Sequence, residues 1–113
     1  MKRRIKITVL KREFYQELAD AFLVHPQVEK CGKFQDGQVF FVEEGQYDTF
    51  THGGCFCQSA WDTIKDTVYS GVMGGNLYRE GWSRDPGKLV LCCRDGIRPV
   101  VFLLEQMEEN EEG

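Results

Sequence analysis

Two apolar runs, Leu89 to Cys93 and Val100 to Leu104, are joined through Arg94-Asp95-Gly96-Ile97, and no other stretch of the sequence constrains the fold as much. Asp-Gly between such runs is the strongest short-range sign of a β-hairpin, because both residues tolerate the backbone that a tight turn demands. A two-residue loop of Asp95 and Gly96 would pair Arg94 with Ile97, Cys93 with Arg98 and Cys92 with Pro99. Proline has no N–H to give, so Pro99 belongs at an edge or a bulge. The unbroken run Val100-Val101-Phe102-Leu103-Leu104 fits a strand covered on both faces.

The rest of the chain supplies partners for that hairpin. From Arg4 to Leu10, Ile5, Ile7 and Val9 alternate with Lys6 and Thr8, the period-two signature of a half-buried strand. Phe14, Leu18 and Phe22 recur every fourth residue, with Glu13, Gln16, Glu17 and Asp20 opposite, so residues 12–24 read as an amphipathic helix ended by His25-Pro26. Val39 to Val42 reads as a second strand after the turn Gln35-Asp36-Gly37. Ser59 and Asp62 fit a capping box for a second helix whose apolar stripe is Ala60, Trp61, Ile64, Val68 and Val72, and Gly74-Gly75-Asn76 stops it. The predicted order is strand, helix, strand, helix, strand, strand. That predicts an α+β domain of two layers, with one mixed sheet, two helices on it and the Asp-Gly hairpin at its C-terminal end.

At 113 residues with 42% hydrophobic content, the chain fits one domain, expected over residues 1–107 with an acidic tail at 108–113. No stretch approaches the roughly 20 uninterrupted apolar residues of a membrane helix, and Met1-Lys2-Arg3-Arg4 runs straight into an alternating segment rather than a signal core. A cytoplasmic protein without a membrane partner is expected. The net charge of −4 comes from Glu108, Glu109, Glu111 and Glu112, so residues 1–107 carry 14 charges of each sign. A neutral body argues against nucleic acid as a partner. Five cysteines without a secretion signal point to free thiols, metal ligands or redox centres rather than a disulfide framework.

With these residues in view, the sequence resembles a family of short prokaryotic proteins of unknown activity. The resemblance rests on Lys6-Ile7-Thr8-Val9-Leu10-Lys11, mid-chain Cys31, Cys57 with Trp61, Gly74-Gly75, and the closing phrase from Cys92-Cys93 through Asp95-Gly96 and Arg98-Pro99-Val100 to Phe102. It departs from the pattern at Gly32, where a proline is expected, and at Cys55, which is an additional cysteine. The resemblance implies an intracellular, cysteine-bearing domain and brings no reaction with it.

Three readings of the cysteines stand side by side. In the first, which leads, Cys31, Cys57, Cys92 and Cys93 form a thiolate set for zinc or an iron–sulfur cluster, with Cys55 or His52 as a substitute. Its spacing is unorthodox, because neighbouring residues of a strand face opposite ways and Cys92 and Cys93 could share a metal only through a bulge. In the second, Cys57 is a nucleophile activated by the N-terminus of the second helix, with His52 as base or Cys55 as resolving thiol, in a thiol-dependent enzyme or redox protein. In the third, the cysteines are small buried hydrophobes of a ligand- or partner-binding module. Arg98, beside Cys93, is a candidate holder of a small anionic ligand. Tyr78 and Trp82, in the connection over residues 76–87, are candidates to close over a ligand or a second subunit. A homo-oligomer is expected because so small a sheet leaves apolar surface uncovered.

Overall fold

The computed structural model describes residues 3–77 and 80–108. The alternation at the start of the chain becomes β1 (Arg3–Arg12), in which Ile5, Ile7 and Val9 are fully buried and Arg4, Lys6 and Thr8 face the other way. The closing run becomes β4 (Val100–Glu108), with Val100, Phe102 and Leu104 on the same buried face. These two strands pair along their whole length, from Arg3 opposite Glu108 to Arg12 opposite Val100. A bulge between Val9 and Lys11 leaves Leu10 out of register. Strand β2 (Val39–Glu43) flanks β1 and β3 (Lys88–Cys92) flanks β4, giving the order β2-β1-β4-β3.

Every one of these pairs is antiparallel, which corrects the expectation of a mixed sheet. The reason lies in α1, which spans only Gln16–Phe22 where a helix over 12–24 was expected. Residues 13–15 stay extended because the amides of Glu13 and Tyr15 donate to the carbonyls of Pro99 and Ile97, at 2.9 and 3.0 Å. The chain therefore continues the pairing of β1 with the segment leading into β4 instead of starting a crossover. What remains of the helix buries only Ala19, while Leu18 and Phe22 of the expected core stripe are exposed. One helix, not two, lies on the sheet.

That helix is α2 (Gln58–Val72), and its stripe Ala60, Trp61, Ile64, Val68 and Val72 is buried as its 3.6-residue period requires. Gly71 lies in the same stripe: a Cβ there would collide with Ile5 and come within 2.7 Å of Leu77. The helix turns off at Gly74, whose φ of +92° suits glycine. Gln106 of β4 then ties down the end, donating from Nε2 to the carbonyls of Gly71 and Gly75 at 2.8 and 2.9 Å. At the start of α2 the cap residue is Cys57, not Ser59, and no side chain caps the helix.

Between β2 and α2 the aperiodic loop is anchored by its rings. Phe56 meets Phe40 and Phe34 edge-on at 4.9 and 5.0 Å, Phe34 meets Phe102 at 5.2 Å, and Phe50 leans on Trp61 at 5.0 Å. Such edge-to-face pairs fix orientation as well as burying area. The loop is thereby held on the core, and the backbone of Cys57 with it.

Strands β3 and β4 are antiparallel neighbours, but the expected two-residue turn is not what joins them. Cys92 pairs with Val101, two residues beyond the predicted partner, and the connection runs over residues 93–99. Pro99 sits in this wider loop, outside the ladder it cannot serve. Asp95 organises the loop instead: its Oδ1 accepts the amides of Ile97 and Arg98 at 2.8 and 2.9 Å. This is the local carboxylate-to-backbone bonding by which aspartate shapes turns. Glu108, expected in the acidic tail, belongs to β4, and residues 109–113 lie outside the described residues. The sheet face opposite α2 carries Val39, Leu103, Val101 and the exposed Val90.

Candidate functional site

The uncapped start of α2, the loop over 93–99 and the segment at Cys31 converge on one cavity of about 330 Å³. Phe34, Ala60 and Val100 give it an apolar floor belonging to the core. Cys31, Cys57 and Cys93 border it together with Ser59, Arg94, Asp95 and Arg98. Each of the three thiols is half-buried and packed on the core, whereas Cys55 and Cys92 are exposed.

Each sulfur arrives by a different route. Cys57 is delivered by the ring-anchored loop, and its carbonyl accepts the Trp61 amide at 2.9 Å to open the helix. Its own side chain makes no capping bond, so the amides of the first helical turn are not served by a cap. Cys93 follows the last residue of β3. Its amide donates to Val100 at 3.0 Å, and the Val100 amide donates back to its Sγ at 3.3 Å, fixing the sulfur on the cavity wall. Cys31 is held from behind by Arg12, which donates from Nη1 to its carbonyl and from Nε to Asp36, both at 3.0 Å.

Two arginines border the cavity with these thiols. Arg94 lies 3.6 Å from Asp62 and Arg98 3.5 Å from Asp95, ion-pair distances too long to count as hydrogen bonds. A guanidinium has five N–H donors in a planar fork, so these pairs leave most of each group able to meet a carboxylate or phosphate. The Arg98 and Ile97 amides, followed by the Arg98 side chain, hold the Asp95 carboxyl below its usual value of 3.8 against the opposing effect of partial burial. Asp62 is lowered as well, chiefly by the hydrogen bond from Gln58 and then by Lys65 and Arg94. Both carboxylates stay ionised near neutrality. They balance the arginines in the field seen from a distance, so an anion is favoured by contact with donors rather than by net charge.

The cavity gathers some of the residues singled out from sequence and not others. Cys31, Cys57, Cys93 and Arg98 line it. Cys92 does not, because strand alternation turns it to the opposite face, exposed, with only its carbonyl engaged by Thr63 Oγ1 at 3.2 Å. Cys55 is exposed too, its thiol 3.5 Å from the Phe50 carbonyl. The four-thiolate set is therefore not brought together, and among the described residues no group of three or more His, Cys, Asp or Glu could hold a metal ion. His52 is exposed in the loop before α2 and does not border the cavity, so the expected pairing of His52 with Cys57 is absent from it. Trp82, two-thirds exposed, borders a separate hollow of about 300 Å³ with Arg84, Lys88, Val90 and Leu103. Tyr78 lies outside the described residues.

Sequence reasoning missed Arg94 and Asp95, which it read as turn residues, and placed Ser59 as a cap. The signal that points to them is the spacing of Arg94 and Arg98 about Asp95: two cations bracket an aspartate whose side chain the loop uses. Among the described residues no helix is long and apolar enough to cross a membrane. Compared with protein-family models, curated proteins and solved structures, the chain matches none of them.

Proposed function

We propose that the protein binds a small anionic molecule in the cavity at the start of α2 and acts on it through the Cys57 thiol. The observation that carries this reading is the convergence of Cys57, Cys31 and Cys93 with Arg94 and Arg98 on one concave site. A cavity of this size with an apolar floor and a few convergent polar groups is the usual form of a small-molecule site. The uncapped first turn of α2 leaves backbone N–H groups at the cavity's edge, which favour a negative charge on a ligand bound there.

Paired alkylating reagents test it. Iodoacetate carries a carboxylate and iodoacetamide does not, while the chemistry at sulfur is the same. In the native protein at low salt, peptide mapping by mass spectrometry should show a higher iodoacetate-to-iodoacetamide ratio at Cys57 than at the exposed Cys55 and Cys92. The double variant R94A/R98A should lose that preference. A ratio at Cys57 equal to that of the exposed cysteines overturns the reading.

A further inference from the structure

Resting on that reading, we propose that the ligand is the disulfide of a small carboxylate-bearing thiol, and that Cys57 exchanges with it to end in a disulfide with a second thiol of the same cavity. The residues around Cys57 narrow the chemistry. Attack on an amide, an oxygen ester or a phosphate ester expels an amine or alkoxide that needs a proton, and an acid–base side chain within hydrogen-bond reach must supply it. No histidine borders the cavity, and Asp95, its one carboxyl group, is committed through Oδ1 to two backbone amides. Exchange at a disulfide asks for no such donor, because its leaving group is a thiolate.

The number of thiols points the same way. A single nucleophilic sulfur suffices for group transfer, yet three of the five cysteines border this one cavity. Further thiols beside the first are what a resolving step requires. The fork geometry of Arg94 and Arg98 suits carboxylates on the departing and retained halves of the ligand.

In the first step the Cys57 thiolate attacks one sulfur of the small disulfide. The new S–S bond forms as the old one breaks, and one small thiolate leaves with the electron pair. In the second step a thiolate from Cys93 or Cys31 attacks the Cys57 sulfur of the mixed disulfide, forming the internal bond and expelling the second small thiolate. The two protons of the protein thiols pass through solvent to the two released thiolates. The protein is oxidised by two electrons and the small disulfide reduced by two.

The test uses the full reduced chain under argon, with oxidised glutathione as the anionic probe and bis(2-hydroxyethyl) disulfide as the neutral one. Quenched samples are mapped by mass spectrometry. Oxidised glutathione should yield an internal disulfide joining Cys57 to Cys93 or Cys31. It should do so about tenfold faster than the neutral disulfide, which has no carboxylate for the Arg94 and Arg98 donors to hold. C57S should form no internal disulfide, C31S/C93S should trap glutathione on Cys57, and circular dichroism should confirm that both variants fold. Glutathione carried by Cys55 and Cys92 but not Cys57 in the unmodified chain overturns the proposal, as does a mixed disulfide on Cys57 that never resolves. If Cys57 keeps its preference for iodoacetate while exchange fails, this inference falls alone. If the preference is absent too, the reading of the cavity falls with it.

Discussion

At the residue scale, Asp95 carries the clearest dependence on pH. Its folded carboxyl titrates below the usual 3.8 because the ionised form accepts two amides and faces Arg98. Stability from these bonds is therefore present in full above the unfolded value and is lost as pH falls through the lower folded one. The amide protons of Ile97 and Arg98 should report this in an NMR titration, with a common midpoint below 3.8; a midpoint at or above that value would contradict the bonding described. The residues of the site were legible in the sequence to the extent that strand alternation decides them. That adjacent residues of a strand face opposite ways was sufficient to cast doubt on Cys92 and Cys93 as a shared ligand pair. Which of the two faces the thiol cavity follows from Leu89 and Leu91 packing on the core, and a register shift of two residues does not change it; the register itself differs because the Asp-Gly signal suggests a tighter turn than the loop Asp95 builds.

At the element scale, α2 shows what periodicity reads well and α1 what it does not. The α2 stripe was read correctly because its apolar residues have a sheet to lie on. The spacing of Phe14, Leu18 and Phe22 in α1 is as regular, but backbone bonds from Glu13 and Tyr15 to the 97–99 loop take the first of these residues out of the helix. Pairing partners eighty residues away in sequence do not register in a local pattern. Where α2 crosses β1, Gly71 sets the approach. G71A gains about 1 kcal/mol of helix propensity, but the new methyl must displace the fully buried Ile5 and Leu77, and overpacking of that kind costs about 1–3 kcal/mol. The expected outcome is net destabilisation of about 1 kcal/mol in urea unfolding. A more stable variant would show that α2 has room to shift on the sheet.

For the molecule as a whole, Phe102 joins the central sheet to the aromatic cluster beneath the cavity, with Phe34 at 5.2 Å and Phe56 at 5.6 Å. F102A should cost about 3–5 kcal/mol in chemical denaturation, as deletions of buried phenylalanine do. It should also loosen Phe34 under the thiols, which a rise in the labelling rate of Cys31 would reveal. The class of fold was legible as a whole because strands and helix each bury one patterned face. The direction of the sheet was not, since it turned on whether one short helix crosses over. The strand order has a consequence for how the protein is made. The two central strands are β1 and β4, so β1 finds its main partner only when Val100 to Glu108 has followed it off the ribosome. Until then β1 has β2 along one edge and α2 over its apolar face but nothing along its other edge, and closing so long a loop places folding among the slower topologies. Through that interval a strand with one apolar face and one unpaired edge stays open to other polypeptides.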